Sequence, residues 1–279
     1  MRTLLIDGDV PCHMHAYSND NIHDFDGVEC RDVDYDKAKE DTDEEIVNLM
    51  RKLKADRVII ALSDDRNWRY SVLPSYKHNR DDKERPELHA VIKQHLWDSY
   101  DARTLPRAEG DDVMGVMATD PERPHGETVI VSIDKDMRTI PGWLFRPHKD
   151  DDKPIWVSPD EAERYHLYQT LIGDTTDGYK GCPGVGDKTA CELLDAPWLE
   201  VPYEHEFKRG KRKGETETRY EKVATGWVWQ AIVSQYEKKG LTEEDAVQQA
   251  RVARICRYED WNHSRREPIL WTPACISHV

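Results

Sequence analysis

Three apolar runs in this chain stop at the same kind of residue. Residues 3 to 6 (Thr-Leu-Leu-Ile) end in Asp7-Gly8-Asp9, residues 57 to 62 (Arg-Val-Ile-Ile-Ala-Leu) in Ser63-Asp64-Asp65, and residues 128 to 133 (Thr-Val-Ile-Val-Ser-Ile) in Asp134-Lys135-Asp136. Apolar runs of this length read as strands buried on both faces, and the helix-length segments between them call for right-handed crossovers in a parallel sheet. Ligands of such a sheet sit outside the carboxyl ends of its strands, which is where these acids collect. Two further packets, Glu109/Asp111/Asp112 and Asp174/Asp177, bring the set to nine carboxylates in five packets. Carboxylates a few ångströms apart repel one another by roughly 4 kcal/mol at intermediate dielectric, so the gathering predicts hard cations, Mg²⁺ or Mn²⁺, among them.

Each packet also has a structural reading. A strand that ends in Asp is common in any α/β protein, and acids at a helix start complement the helix dipole. Glu109-Gly110-Asp111-Asp112 exceeds that need, with three acids in four residues. Asp134 and Asp136 share a face if the chain stays extended, and Asp174 and Asp177 do so if it turns helically. Asp160 and Glu161 follow Ser158-Pro159 and read as helix capping.

A net charge of −15 argues against a nucleic-acid partner only until it is located. The nine packet acids carry −9 and the stretch from Asp20 to Glu45 another −9, which leaves a weakly basic body able to approach phosphate. The six cysteines form no Cys-x-x-Cys pair, so reduced thiols and no cysteine-based zinc site are expected. No apolar run approaches the roughly 20 residues of a membrane span. The first ten residues read as a strand rather than a signal peptide, and a cytoplasmic location is expected.

Between the first two strands, Ile46, Leu49, Met50 and Leu53 predict a crossover helix over Asp43 to Lys54, with Thr42 or Asp43 as its N-cap. The acidic stretch before it, Asp20 to Glu40, reads as a surface loop or excursion. Helices are expected over Glu87 to Tyr100, from Glu109 to about Met117, from Ser158 to Gly173, and over Thr242 to Arg257, the last with a Thr242/Asp245 capping box. Arg251, Arg254 and Arg257 read as its solvated face. Glu206 to Lys222 is a charged hairpin or loop, whose run Lys208, Arg209, Lys211, Arg212 and Lys213 is read as a phosphate-tracking surface ahead of a merely solvated one.

The ordered series Leu-Ile-Asp7-Gly, Ala-Leu-Ser-Asp64, Pro74-Ser-Tyr76-Lys77-x-x-Arg80, Ala-Glu109-Gly-Asp111-Asp112, Ser-Ile-Asp134-Lys-Asp136 and Gly-Asp174-x-x-Asp177, then Gly184-Val185-Gly186-x-Lys188-Thr189-Ala190, resembles the 5′-nuclease (flap endonuclease) superfamily. It is most similar to T7-type bacteriophage 5′→3′ exonucleases and to the 5′-nuclease domain of bacterial DNA polymerase I, over about residues 3 to 195. The resemblance implies an α/β fold: a PIN-like twisted, mainly parallel sheet flanked by helices, with a helix-three-turn-helix region and a mostly helical C-terminal part. It implies a catalytic domain over 1–172 with an arch at about 77–100, and a DNA-binding region over 173–279 with the helix-three-turn-helix at about 173–195.

It also implies two metal groups, the first from Asp7, Asp64, Glu109, Asp111 and Asp112 and the second from Asp134, Asp136, Asp174 and Asp177. Asp9 and Asp65 are extra acids where the family varies, so Asp65 competes with Asp64. Lys77 and Arg80 are expected to stabilise the phosphodiester transition state, against a reading as two solvated bases. Tyr76 is expected either to stack on a terminal base or to lie in the core. Gly184, Val185, Gly186, Lys188 and Thr189 are expected to grip a duplex backbone without reading sequence, with K⁺ held by carbonyls of the turn.

The implied activity is hydrolysis of DNA near free 5′ ends, on duplex or flap and on RNA·DNA hybrids, by a monomeric phage enzyme using two or more Mg²⁺ ions. The other readings are a catalytically silent structure-specific DNA-binding protein on the same scaffold and a PIN-type ribonuclease, which generally lacks the glycine-rich turn at 181–190.

Overall fold

A computed structural model describes the whole chain except residues 26–27, 81–85, 123–125, 148, 150–152 and 274–279. The elements in order are β1 (Arg2–Asp7), α1 (Asp9–Ser18), β2 (Asp20–Phe25), β3 (Val28–Val33), α2 (Tyr35–Leu53), β4 (Arg57–Ala61), α3 (Arg69–Val72), α4 (Glu87–Ser99), β5 (Ala102–Arg103), α5 (Gly110–Ala118) and β6 (Glu127–Val131). They continue through β7 (Gly142–Phe145), β8 (Ile155–Val157), α6 (Pro159–Ile172), α7 (Asp187–Asp195), β9 (Trp198–Glu206), β10 (Thr216–Ala224), α8 (Val228–Glu237), α9 (Glu243–Ala253), β11 (Trp261–Asn262) and β12 (Glu267–Pro268). Among the described residues no helix is long and apolar enough to cross a membrane.

The chain divides into two compact units. The first comprises Met1–Trp68, Arg80–Glu163 and Ile255–Ile269, and the second Arg69–Asn79, Arg164–Arg254 and Leu270–Val279. Neither unit is one continuous stretch, since each takes segments from both sides of residues 172/173.

In the first unit the sheet order is β5-β4-β1-β6-β7-β8, parallel throughout except for β8, which runs antiparallel to β7. The three apolar runs are thus its three central neighbours, β4, β1 and β6. Their residues alternate between two cores, as a pleat with period two requires. Leu4, Ile6, Ile60, Val129 and Val131 meet α1, α2 and α4 on one face, while Leu5, Ile59, Ala61 and Ile130 meet α5 and the start of α6 on the other. Burial on both faces explains why these strands read as continuous apolar runs.

The helix preceding β4 is longer than the spacing predicts. It starts at Tyr35, with the Asp34 carboxylate accepting from the Lys37 N–H at 2.9 Å. Thr42 is no cap: it is fully buried, and its hydroxyl donates to the Ala38 carbonyl at 2.8 Å. Ala38 and Thr42 extend the buried stripe by two turns. The stretch read as a loop before it forms the β2–β3 hairpin instead. Residues 87–99 also depart from the arch reading, since Leu88, Ile92 and Leu96 are fully buried and pack α4 into the sheet's core. Residues 81–85, in the first half of the expected arch, lie outside the described residues.

The second unit has its own core, built from Leu171, Cys182, Ala190, Leu193, Trp198, Ile232 and Tyr236. The Thr242/Asp245 capping box opens α9 as the sequence predicts, but the helix ends at Ala253. Arg254 and Arg257 are not a solvated face: they are 5% and 8% exposed. Arg257 donates to the Thr139 carbonyl at 2.9 Å inside the first unit, and Arg69 donates to the Val252 and Arg254 carbonyls at 3.0 and 2.7 Å inside the second. The charged hairpin is the β9–β10 ribbon. At its turn the Arg212 and Arg219 guanidinium groups stand 3.9 and 5.2 Å from the Phe207 ring centroid.

Candidate metal centre

The carboxyl edge of β4-β1-β6 is wired by small side chains that sequence reasoning passed over. Asp7 ends β1, and the Gly8 N–H donates to the Ala61 carbonyl at 2.8 Å, pinning the turn against β4. A Cβ on Gly8 would stand 2.5 Å from Ile60 Cγ2 and 2.9 Å from that same carbonyl, so the close approach requires glycine. Asp7 is 6% exposed. Its Oδ1 accepts from the Asp9 N–H at 3.1 Å and its Oδ2 from the Ser132 hydroxyl at 2.9 Å. Ser132 in turn accepts from the Asp134 N–H at 3.1 Å, tying the end of β6 to that of β1. On the other side the Ser63 hydroxyl donates to Asp9 and accepts from the Gly110 N–H at 2.8 Å, which joins β4, the turn after β1 and the start of α5. The available signal was a serine just before two of the acid packets, Ser63-Asp64 and Ser132-Ile-Asp134.

The acids at this edge sit in unequal fields. Burial foremost, then the charge of Asp9 and to a lesser extent that of Asp134, push the Asp7 carboxyl up to about 7, against the hydrogen bonds from Ser132 and Asp9. Asp64 is held below the usual carboxylate range, chiefly by the Arg107 N–H at 2.6 Å and further by the Asp65 N–H at 2.9 Å. Asp65 has a side chain 96% exposed and 3.7 Å from Lys93, so it is Asp64 that the fold fixes.

Glu109 and Asp111 are half-buried at the first turn of α5, whereas Asp112 is fully buried. Asp112 Oδ1 accepts from the Cys256 N–H at 2.9 Å, and its Oδ2 from Trp68 Nε1 at 3.0 Å and the Glu109 N–H at 3.3 Å. Asp134 caps a 3-10 turn over Lys135–Thr139 by accepting from the Asp136 N–H at 2.8 Å, and Asp136 is half-buried. Among the described residues, no three His, Cys, Asp or Glu side chains are closed around a common point in ion-holding geometry. What the edge provides is the donor chemistry of a hard-cation site, carboxylate oxygens, with Asp7 disfavoured as an anion by burial first and then by its acidic neighbours.

Asp174 and Asp177 belong to the second unit and the other seven acids to the first. Asp174 is 7% exposed and accepts from the Thr176 and Asp177 N–H groups at 2.7 and 3.2 Å. Asp177 is joined to the Pro74–Arg80 motif: Tyr76 donates its hydroxyl to Asp177 Oδ2 at 2.8 Å, Lys77 Nζ stands 3.6 Å from that oxygen, and the Lys77 N–H donates to the Asp177 carbonyl at 2.8 Å. Tyr76 is 2% exposed and packs with Tyr179, Val252 and Ala253, the placement of a core residue. Lys77 is mostly buried beside Asp177. Arg80 closes a short 3-10 turn, and its side chain lies outside the described residues.

The glycine-rich turn is built around two glycines in close contact. Gly173 and Gly181 have φ of +70° and +62°, and a Cβ on Gly181 would stand 2.3 Å from the Gly173 nitrogen. The chain then passes Gly184 (φ +76°) and enters α7 at Asp187, with Gly186 as N-cap. Gly184, Gly186 and Lys188 are exposed, Val185 and Thr189 half-buried. At the ribbon tip Lys208, Arg209, Lys211, Arg212 and Lys213 are all exposed; Arg212 is paired with Glu215 and Glu217 at 2.7 Å each.

A sequence model described as the 5′-3′ exonuclease, N-terminal resolvase-like domain matches residues 2–141. An exodeoxyribonuclease of Enterobacteria phage T3 is 35% identical over 261 residues, covering 87% of this chain and 83% of its relative. The chain belongs to the 5′-3′ exonuclease family. An exonuclease of Escherichia phage T7 is 33% identical over 261 residues, covering 87% of this chain and 84% of that one. Among solved structures, a bacteriophage T5 flap endonuclease in complex with DNA and metal ions aligns with a TM-score of 0.58 at 14% identity, over 91% of this chain and 89% of that one. This last likeness concerns the fold, and it agrees with the parallel sheet and flanking helices described above. As a member of the 5′-3′ exonuclease family the chain is a nuclease, a phosphodiester hydrolase.

Proposed function

We propose that this 5′-3′ exonuclease family member is a Mg²⁺-dependent enzyme that hydrolyses DNA from or near free 5′ ends, on duplex or flap, as a monomer. The observation that carries the reading is the termination of three neighbouring parallel strands, β4, β1 and β6, at acids on one sheet edge. Asp7, Asp64, Glu109 and Asp111 are the residues assigned to hold the catalytic ion. Asp112, with both oxygens engaged by donors, is assigned to fix the turn that carries Glu109 and Asp111. Asp134, Asp136, Asp174 and Asp177 are assigned to further ion binding. When bound, Mg²⁺, or Mn²⁺ in its place, lowers the pKa of the attacking water and neutralises charge on the phosphate.

The chain's own groups supply positioning. Ser132 and Ser63 hold the ends of β4, β1 and β6 and the start of α5 in register, so the acids meet the phosphate preorganised. Lys77 and Arg80 are assigned to the phosphate, which would compete with Asp177 for the Lys77 ammonium. The exposed turn at Gly184, Val185, Gly186, Lys188 and Thr189, with K⁺ at its carbonyls, and the basic ribbon tip are assigned to the duplex backbone, a contact without base readout.

Cleavage of 5′-labelled duplex, flap and RNA·DNA hybrid, with Mg²⁺ and with chelator, tests this. The expected result is release of labelled mononucleotides or short oligonucleotides from DNA in Mg²⁺ and none in chelator. Progressive shortening of the 5′-labelled strand from its 3′ end, or undiminished cleavage in chelator, would contradict it.

A further inference from the structure

A cavity of about 370 Å³ adjoins Asp64 within the first unit, lined by Ser63, Asp64, Lys93, Gln94, Trp97 and Thr104 among others. Its volume falls in the range of small-molecule sites. Lys93, Gln94 and Trp97 come from one side of α4, since residues three and four apart on a helix are neighbours. Trp97 is 49% exposed, a large aromatic surface left open on a helix whose opposite side, Leu88, Ile92 and Leu96, is fully buried. A single exposed aromatic is ordinary on a protein surface. This one differs in lining the same concavity as an acid of the candidate centre.

The lining decides what enters. Lys93 Nζ is already engaged, donating to the Ser63 carbonyl at 2.8 Å and standing 3.7 Å from Asp65, so it braces the Asp64 turn. With Asp64 and Asp65 both present, the cavity repels a phosphate. A flat, neutral, polarisable ring suits it: one face against the Trp97 indole, polar edges toward Thr104 and the Gln94 amide, whose Nε2 donates to Asp98 at 2.9 Å and leaves its carbonyl as acceptor.

We propose that this cavity receives the nucleobase next to the scissile phosphate and that Trp97 is its stacking platform, a positioning residue of the nuclease. The inference rests on the reading of the β4-β1-β6 edge as the hydrolytic centre. Stacking accepts every base, as an enzyme that degrades a strand regardless of sequence requires.

The test combines Trp97→Ala and Trp97→Phe with 5′-labelled duplexes carrying one abasic residue at each position flanking the cleaved bond, all in Mg²⁺. Wild-type enzyme should lose roughly tenfold to hundredfold in kcat/KM at one abasic position, the range of a lost base stack. Trp97→Ala should lose the same on unmodified DNA and no more than about twofold further at that position, while Trp97→Phe recovers most of the loss; the twofold limit corresponds to near-complete coupling of the two changes. Because the side chain is half exposed, the folded state should tolerate the substitutions, and an unchanged denaturation midpoint checks this. Trp97→Ala within twofold of wild type on unmodified DNA, or abasic losses that add to it at every position, would overturn the proposal while leaving the nuclease reading intact. Failure of the wild-type protein to cleave any of the duplexes would overturn that reading, and this one with it.

Discussion

Asp7→Asn is expected to lower kcat by roughly 10³-fold or more and, in the metal-free protein at pH 8, to raise stability. The first effect corresponds to losing about 4 kcal/mol of transition-state stabilisation when a charged oxygen donor leaves the reacting centre. The second follows from linkage. The Asp7 carboxyl rises from an ordinary value of 3.8 to about 7 in the fold, by burial and then by Asp9 and Asp134. Between these values the folded protein holds a proton that the unfolded chain has released, so stability falls as pH rises through that window. Above it the ionised carboxylate opposes folding by on the order of 4 kcal/mol at most. Asparagine removes that opposition, so the variant should gain at pH 8 in chelator and differ little near pH 4. Denaturant unfolding at the two pH values checks this, and a variant less stable than wild type at pH 8 would contradict the assigned electrostatics. DNA binding should survive or tighten, since the substitution removes negative charge where phosphate approaches.

Asp112→Ala is expected to act on the fold more than on the chemistry. The substitution strands the Cys256 N–H and the Trp68 indole N–H in a buried site, each at about 1–3 kcal/mol, and opens the capping box of α5, worth about 1 kcal/mol more. A loss of about 3–7 kcal/mol is therefore predicted, a large part of the stability of an ordinary domain. Activity should fall with it, because Glu109 and Asp111 lose their support. Chemical denaturation reads the result directly: a wild-type midpoint in Asp112→Ala would show that the three hydrogen bonds do not hold this turn. Asp7 and Asp112 thus separate two kinds of acid within one motif set, one whose charge the fold resists and one whose oxygens the fold uses as hydrogen-bond acceptors.

The part of the fold legible in the sequence is the part where burial and chain direction agree. Leu4 to Ile6, Ile59 to Ala61 and Val129 to Val131 are buried on both faces, so their composition alone marks central strands, and an acid after each marks the open edge. Ser158/Glu161 and Thr242/Asp245 were legible for the same local reason, since a capping box is complete within four residues. Other features depended on distant partners. Ala38 and Thr42 sit in so acidic a stretch that their place on the buried stripe of α2 is hidden until the sheet is present. Arg254 and Arg257 have helical spacing from Arg251, yet the helix stops at Ala253 and both side chains turn inward. Tyr76 follows a proline and precedes two bases, a context equally suited to a surface platform; its partner Asp177 lies a hundred residues away. The assignment of Arg69–Asn79 to the unit of Arg164–Arg254 has no sequence signal at all, because it rests on backbone contacts such as Lys77 to Asp177. Ser63 and Ser132 were visible but unremarkable, serine being common before turns.

Mn²⁺ binding to the metal-free protein, followed by the loss of free-ion paramagnetic resonance, tests the central claim most directly because it requires neither substrate nor turnover. Wild-type protein at pH 8 should take up at least one ion, and more weakly at pH 6, where the Asp7 proton competes. Asp7→Asn should lose the tightest site, and Asp65→Asn, altering an exposed side chain, should retain it. Equal uptake by wild type and Asp7→Asn, or no uptake by either, would contradict a metal centre at the β4-β1-β6 edge.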